Sequence, residues 1–139
     1  MNFKIRAATK DDCKDISRMI VELAAFENMA DQMKISHKEL ESDGFCQNPF
    51  FGCLVAEVPE EHQSKEGIGI GKGLMGKVAE VAKKKQCVRL QLSVLNWNTS
   101  TRDFYAAKGA QDLTEREGWH LIRFDGENLD NLANDAPSD

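Results

Sequence analysis

The stretch EGIGIGKGLM, residues 66–75, decides how the rest of the chain is interpreted. Glycine occupies every second position from 67 to 73. Glycines at the start of a helix let a ligand approach the exposed backbone N–H groups, and the helix dipole favours an anion there. The stretch predicts a phosphate-binding turn and a helix from Gly71 to Lys85, whose buried side carries Ile70, Leu74, Val78 and Val81. A flexible linker that runs into a helix is the alternative, because short glycine patterns are weakly specific.

Two common nucleotide-binding fingerprints do not fit this stretch. A P-loop needs Gly-Lys-Ser/Thr, whereas Lys72 is followed by Gly73. The dinucleotide pattern G-x-G-x-x-G would need a glycine at position 72 or 74, and these positions hold Lys and Leu. The preceding segment PEEHQSKE, residues 59–66, is a polar loop rather than a strand. A pyrophosphate held by successive backbone N–H groups is the ligand that the pattern still allows.

Four short segments have the alternation or composition of β-strands. They are Phe3–Arg6, Gly52–Val58, Val88–Val94 and residues 119–124. The third, VRLQLSV, alternates most regularly, so Leu90, Leu92 and Val94 are predicted to form a core face.

Capping residues mark the remaining helices. Thr9 can cap a helix that begins at DDCKDIS and carries one apolar face, and Ser36 with Glu39 fits a capping box for a helix that Gly44 can end. Asn98 or Thr99 can cap a helix that stops at Gly109. The polar tail after Gly126 is expected to be loose. The element order predicts one domain of the α/β or α+β class.

Composition narrows the function classes. The chain has 139 residues, 41% of them apolar, and a net charge of −5, which argues against a nucleic-acid-binding surface. No apolar run approaches about 18 residues, so no membrane span is expected. The N-terminal residues lack the apolar region of a signal peptide. The four cysteines show no metal-ligand spacing and are interpreted as reduced thiols of a cytoplasmic protein that binds no metal.

The segments GIGIGKG, VLNWNTSTRDFYAAKGAQDL and EGWHLIRF together resemble the GNAT acetyltransferase superfamily. More narrowly, the chain resembles the diamine acetyltransferases, which have a spermidine/spermine branch and a thialysine branch. ADQMKIS, KVAEVA and GAQDLTEREGWH are closer to the thialysine branch. The resemblance covers nearly the whole chain. It implies a mixed central sheet flanked by helices over residues 1–125, and a polar tail over residues 126–139.

The resemblance also implies a function. It predicts acetyl-CoA-dependent N-acetylation of a small primary amine by direct transfer in a ternary complex, with members forming homodimers. The first choice of substrate is thialysine or another lysine-like amine, and polyamines are the second. No nucleic acid, membrane or metal is expected as a partner.

Site residues carry over by position from the same resemblance. Tyr105, the single tyrosine of the chain, matches the acid that protonates the departing thiolate, although a tyrosine beside Phe104 on a helix more often serves packing. The amine-binding positions are Phe26, Glu27, Gln91, Leu92 and Ser93. The coenzyme-binding positions are Gly67, Ile68, Gly69, Ile70, Gly71, Lys72, Asn98, Thr99, Ser100 and Thr101. Helix capping is the alternative role for Asn98, and a solvated charge at a helix end is the alternative for Glu27.

One departure from the family pattern lies between Glu66 and Ile68. The family carries two more strands there, roughly thirty residues by usual strand lengths. Glu66 also stands where the family has a basic or amide residue, and a carboxylate repels a pyrophosphate. Either the chain has a true internal deletion, or its recorded sequence lacks a segment that the protein carries. A true deletion raises the alternative of a non-catalytic chain that acts only as a dimer partner. No base of the family type is visible, and Glu57 is a weak substitute.

Overall fold

A computed structural model describes residues 3–29, 36–60 and 69–138 of the chain. The chain divides into two compact units, Met1–Ser93 and Val94–Asp139. The described part holds two β-strands and six α-helices. These elements agree with the predicted α/β class, and both strands belong to the first unit.

The two strands pair with each other. Strand β1, Lys4–Ala7, runs antiparallel to β2, Leu54–Glu57. Lys4 lies opposite Glu57, and Ala7 lies opposite Leu54. The pairing continues one residue further, where Ala8 N donates to Cys53 O at 2.9 Å. The predicted strands at Phe3–Arg6 and Gly52–Val58 are therefore confirmed, although the first is shifted by one residue and the second is shorter in the structure.

Helix α1, Cys13–Phe26, begins two residues later than the predicted start at Asp11. A 3₁₀ turn over Lys10–Asp12 precedes it, and the Asp12 carboxylate accepts from Thr9 N at 2.7 Å. Cys13 is fully buried, whereas Leu23 on the predicted apolar face is 54% exposed. The helix is confirmed, but only part of its apolar face is covered by the described residues.

Helix α2, His37–Gly44, has the predicted capping box. Ser36 Oγ accepts from Glu39 N at 3.2 Å, and a Glu39 oxygen accepts from Ser36 N at 3.4 Å. Leu40 is buried on the inner side of the helix. At Gly44, an added Cβ would lie 2.3 Å from the ring of Phe51. This glycine is therefore required by packing.

Helix α3, Ile70–Lys84, packs against both strands. A Cβ added at Gly73 would lie 2.9 Å from the Phe3 ring, so Gly73 lets the helix approach β1 closely. The predicted bounds, Gly71 to Lys85, differ from the structure by one residue at each end. Val78, predicted to be buried, is 37% exposed.

The second unit contains three helices. Helix α4, Thr99–Ala107, has the predicted Asn98 cap, and Gly109 follows it with φ +96°. Helices α5, Leu113–Glu117, and α6, Gly126–Ala133, are not predicted by the sequence analysis. The tail that was expected to be loose is thus helical over most of its length.

The predicted strands at Val88–Val94 and residues 119–124 are wrong. Neither segment forms a β ladder in the structure. Leu90 and Leu92, predicted to be core, are 48% and 43% exposed, and Leu121 is 82% exposed. A strand is stable only when another backbone satisfies its N–H and C=O groups. Within the described ranges, β1 and β2 pair only with each other, so these two segments have no ladder to join.

Candidate coenzyme and amine site

The N-terminus of α3 carries Gly69, Gly71 and Gly73 of the glycine-rich stretch. Gly69 caps the helix with φ +81°, a left-handed conformation that glycine adopts without steric strain. Gly69 O accepts from Gly73 N at 2.9 Å, which closes the first helical turn. A Cβ added at Gly69 or at Gly71 would meet no atom within 4 Å. The outer surface of this turn is therefore unobstructed by the described residues.

Gly71 is not explained by the fold. Its φ is not in the left-handed region, and its Cβ position is empty. A glycine inside a helix is less favourable than alanine by about 1 kcal/mol. The N–H groups of the first turn have no acceptor inside the helix. A ligand that contacts these N–H groups closely would account for a glycine that packing does not need.

The charges of this turn also differ from those of most helix starts. The first turn of α3 contains no acidic residue, and Lys72 lies in it. A helix dipole favours carboxylates at the N-terminus and disfavours cations. Among the described helices of eight or more residues, α1, α2 and α6 have an acidic first turn, whereas α3 and α4 have none. The two helix starts that the resemblance assigns to the coenzyme are therefore the two without a carboxylate.

The N-terminus of α4 is formed by Asn98. Its Oδ1 accepts from Thr101 N at 3.4 Å, and its backbone O accepts from Arg102 N at 3.0 Å. Asn98 is half-buried, and Thr99 and Ser100 are exposed. The capping role of Asn98 is confirmed. Coenzyme binding by residues 98–101 stays a prediction.

Tyr105 lies one turn further along α4. Its ring packs edge-to-face on Phe104, with centroids 5.5 Å apart and planes at 71°. The side chain is half-buried, so the packing role that competes with catalysis is real. No residue in the described part of the chain makes a hydrogen bond to Tyr105 Oη. The phenol is therefore available to donate its proton elsewhere, and both roles can coexist.

Arg102 is a central contact of the second unit that the sequence analysis missed. Its guanidinium donates to Asn96 O at 3.2 Å and to Asn96 Oδ1 at 3.3 Å. The same group donates to Asp112 at 3.2 Å and to Glu115 at 3.0 Å. These partners lie 6 to 13 residues away along the chain. No helical or strand spacing joins them, so no local sequence signal marks the cluster.

The predicted amine-binding residues lie on the first unit. Phe26 ends α1 and is 60% exposed, and half-buried Glu27 caps that helix. Gln91, Leu92 and Ser93 are exposed and outside any strand, so the strand predicted for them is absent. Helix α1 packs on α2, whereas α3 packs on the two strands. Gly67 and Ile68, predicted to bind the coenzyme, lie outside the described residues.

Glu57 is held in an ion pair. Arg6 Nε donates to Glu57 Oε1, and the other guanidinium nitrogens donate to both oxygens of Asp12 at 2.8 and 2.9 Å. These hydrogen bonds hold the pKa of Asp12 well below its ordinary value and raise that of Arg6. The contact with Arg6 occupies Glu57 Oε1. The pair therefore ties the strands to α1 and gives no support to Glu57 as a base.

The cysteines are free thiols. Burial raises the pKa of Cys13 and of Cys53, which disfavours the thiolate that a nucleophile needs. In the described ranges, no three His, Cys, Asp or Glu side chains are grouped as metal ligands would be. None of the described helices has the length and the apolarity that crossing a membrane requires.

Comparisons with known proteins agree with the resemblance. The acetyltransferase (GNAT) family profile matches residues 35–110. The chain is 42% identical to a thialysine N-epsilon-acetyltransferase of Bos taurus, over 93% of this chain and 96% of that protein. It is 34% identical to spermidine/spermine N(1)-acetyltransferase-like protein 1 of Homo sapiens, over 94% of this chain and 24% of that protein. An integron cassette protein of V. cholerae shares the fold, with a TM-score of 0.67 at 22% identity over 96% of this chain and 98% of the other.

The alignment with the bovine protein is longer than this chain. It extends over 163 positions, whereas the whole chain has 139 residues. The bovine protein therefore has residues inside the aligned span that have no counterpart here. An internal deletion in this chain predicts such an unmatched segment in the bovine protein. Its position, between Glu66 and Ile68, stays a prediction because the flanking residues lie outside the described ranges.

Proposed function

The chain belongs to the acetyltransferase (GNAT) family and is an N-acetyltransferase, and on that premise we propose that it acetylates the side-chain amine of thialysine or of a lysine-like compound with acetyl-CoA. The bovine relative is named for acetylation of thialysine and matches 93% of this chain. Acetyl-CoA supplies the acetyl group as a thioester. Side chains and backbone groups of the chain itself carry out the remaining steps.

The observation that carries the proposal is the absence of carboxylates from the first turns of α3 and α4. Acetyl-CoA carries phosphate groups, and N-terminal N–H groups of helices bind phosphate through hydrogen bonds and the helix dipole. Gly69, Ile70, Gly71 and Lys72 would hold the pyrophosphate on α3. Asn98 to Thr101 would contribute N–H and hydroxyl groups from α4. The unobstructed Cβ positions at Gly69 and Gly71 fit such a ligand.

Tyr105 is proposed to donate the proton that the departing sulfur needs. A phenol has an ordinary pKa of about 10 and can act as a general acid toward a thiolate. Tyr105 Oη has no described hydrogen-bond partner to compete with this transfer. The amine must reach the thioester uncharged, because an ammonium has no lone pair. Glu27 would bind a second ammonium of the substrate and so orient the reacting amine.

Direct transfer within a ternary complex is the proposed route. A route through an acetylated cysteine would need an accessible thiolate. Cys13 is fully buried, and burial raises the pKa of both Cys13 and Cys53, which disfavours these two thiols as nucleophiles. Cys46 and Cys87 are exposed, so this objection applies only to Cys13 and Cys53. The free thiols also support a reducing compartment, and we propose a cytoplasmic homodimer.

Two alternatives have support of their own. The human relative is named for spermidine and spermine, which makes polyamines the alternative amine class. A non-catalytic dimer partner is the other alternative, because Leu90 and Leu92, which the alternation of Val88–Val94 predicts to be core, are exposed.

The deciding experiment begins with the intact mass of the purified protein. A mass near 15.6 kDa establishes that the chain is complete as given. The protein is then assayed for CoA release with thialysine, lysine and spermidine. We expect release to be fastest with thialysine. If spermidine is faster, the polyamine alternative is correct, and if no amine supports release, the chain is not the proposed enzyme.

Tyr105→Phe tests the acid directly. The variant keeps the ring that packs on Phe104 and removes only the hydroxyl. We expect turnover to fall by about 100-fold or more, with an unchanged melting temperature. Unchanged turnover would remove the role of Tyr105.

A further inference from the structure

Arg102 joins three segments of the second unit. It lies in α4, and its guanidinium contacts the loop before α4 through both oxygens of Asn96. On its other side it contacts Asp112 and Glu115, the N-cap and first turn of α5. The Arg102 side chain is 27% exposed, whereas Asp112 and Glu115 are 42% and 72% exposed, so the contacts lie at the surface of the unit. One side chain thereby fixes the loop, α4 and α5 together.

Asp112 has two tasks in this cluster. Its Oδ1 accepts from Thr114 N and Glu115 N, which caps α5, while its Oδ2 accepts from Arg102. The cap therefore orients the carboxylate for the guanidinium. A charge-assisted contact to an oriented partner is stronger and more directional than a contact to a free surface side chain.

The loop that Arg102 holds is the one that sets the start of α4. Asn98 N donates to Leu95 O, and Arg102 N donates to Asn98 O, both at 3.0 Å. Arg102 is thus attached to residues 95–98 by its backbone and by its side chain. In this turn, Thr99 N donates to Trp97 O and Thr101 N donates to Asn98 Oδ1, which leaves Ser100 N without a described acceptor. The direction of this N–H group depends on the attachment of Arg102, because the loop has no strand or helix of its own.

We propose that Arg102 is a positioning residue that holds the first turn of α4 in the orientation that binds a phosphate group of acetyl-CoA. This inference rests on the proposed function. Arg102 does not need to touch the coenzyme for this role. It keeps the N–H groups of the turn aligned, and it neutralises Asp112 and Glu115, whose charges would otherwise weaken anion binding nearby.

Arg102→Met is the primary test. Acetyl-CoA binding is measured by calorimetry, and steady-state kinetics are measured with thialysine. We expect the dissociation constant and the KM for acetyl-CoA to rise about tenfold, the usual size for loss of charged hydrogen bonds. The turnover at saturating acetyl-CoA and the KM for thialysine should change by less than about threefold, because Tyr105 and the amine site keep their chemistry.

Arg116→Met is the matched control. Arg116 lies on α5 of the same unit and donates to Gln111 at 2.7 Å. The substitution makes the same chemical change without touching the loop before α4. We expect acetyl-CoA affinity within about twofold of wild type. A merely structural role would lower the melting temperature and the active fraction, and would leave both KM values unchanged.

Arg102→Lys tests whether the bridging geometry of the guanidinium matters or only its positive charge. Lysine keeps the positive charge, but a single ammonium does not span Asn96 and the two carboxylates as the guanidinium does. We expect acetyl-CoA affinity to stay about fivefold below wild type. Full affinity in Arg102→Lys would show that charge alone matters and would overturn the positioning role.

A double variant completes the test. If Arg102 acts partly through Glu115, Glu115→Gln should weaken acetyl-CoA binding in the wild-type background. In Arg102→Met it should instead restore part of the binding, because it removes a carboxylate that the arginine no longer neutralises. Equal effects in both backgrounds would contradict the coupling. If wild type binds and acetylates normally while Arg102→Met binds equally well, this inference alone fails. If wild type does not bind acetyl-CoA, the proposed function and this inference both fail.

Discussion

Helices α2 and α3 begin in opposite ways. Helix α2 has a closed start, by which we mean that a carboxylate of its own first turn accepts a hydrogen bond there: Glu39 accepts from Ser36 N. Helix α3 has an open start, one with no acidic residue in its first turn: it begins at Gly69 and carries Lys72. The first arrangement stabilises the helix by itself. The second leaves N–H groups and a positive field available to a ligand.

The same contrast recurs elsewhere in the chain. The 3₁₀ turn before α1 is closed by Asp12, which accepts from Thr9 N. Helix α4 has an open start that an uncharged residue, Asn98, caps. Some helix starts of this chain are therefore closed by carboxylates, and two are open. Folding alone does not require this difference between the helix starts. The predictions below test whether this difference reflects coenzyme binding.

The largest effect is expected from a carboxylate placed in the open start of α3. Lys72→Glu puts a favourable charge at the helix N-terminus, so the free energy of unfolding should rise by about 0.3–1 kcal/mol. Acetyl-CoA binding should weaken by about 100-fold, because the change replaces an attractive charge with a repulsive one beside the pyrophosphate. Calorimetry and denaturant unfolding measure the two quantities.

Lys38→Glu is the matched control for this charge reversal. Lys38 is exposed in the first turn of α2. Its substitution therefore changes the net charge by the same amount, and also in the first turn of a helix. We expect acetyl-CoA affinity within about twofold of wild type. If Lys38→Glu weakens binding as much as Lys72→Glu does, long-range charge explains the effect and the open start does not.

The second prediction concerns Gly71. Gly71→Ala should raise the free energy of unfolding by about 0.5–1 kcal/mol, because alanine is the better helix former and the Cβ position is empty. It should also weaken acetyl-CoA binding about tenfold, because the methyl group occupies the space that the pyrophosphate needs. Stability and affinity therefore move in opposite directions.

Gly76 offers a control within the same helix. Its Cβ position is also empty, so Gly76→Ala should give the same gain in stability. Gly76 lies outside the first turn, and we expect unchanged acetyl-CoA affinity. An equal loss of affinity in both variants would mean that helix rigidity, rather than the open start, controls binding.

The helix starts could be predicted from the sequence because capping is local. Ser36 and Asn98 accept from backbone N–H groups three residues further on, as predicted. Thr9 precedes the 3₁₀ turn and makes no side-chain hydrogen bond that caps it. The short helix α5 was missed, although Asp112 gives a capping signal before Thr114 and Glu115. Helix α6 was missed because its polar composition suggested a loose tail.

The strands and the Arg102 cluster could not be predicted because they depend on distant partners. The alternation of Val88–Val94 predicts a strand, but it does not show whether a second strand is present to pair with it. Arg102 likewise meets residues with no periodic relation to it. The positions of Gly69, Gly71 and Tyr105 came from the family resemblance, and their assigned roles stay predictions until the variants above are measured.

The third prediction tests a closed start. Ser36→Ala removes the oxygen that accepts from Glu39 N, and should lower the free energy of unfolding by about 1 kcal/mol. Acetyl-CoA affinity should be unchanged. Ser42→Ala, at an exposed position later in the same helix, should stay within about 0.5 kcal/mol of wild type. A loss of affinity in Ser36→Ala would contradict the assignment of closed starts to folding.

The smallest effect is expected from Asp12, whose ion pair with Arg6 remains accessible to water and is screened by it. Because the pKa of Asp12 is lower in the folded protein than its ordinary value of 3.8, the unfolded chain binds the proton more tightly. The contribution is therefore present above about pH 4 and is lost as the pH falls below it. Asp12→Asn should lower the free energy of unfolding at pH 7, and the difference from wild type should shrink below pH 4.

Asp11→Asn changes the neighbouring carboxylate, which has no ion pair with a described residue, and serves as the control. A difference between wild type and Asp12→Asn that stays constant from pH 7 to pH 3 would show that the carboxylate's charge does not close this helix start.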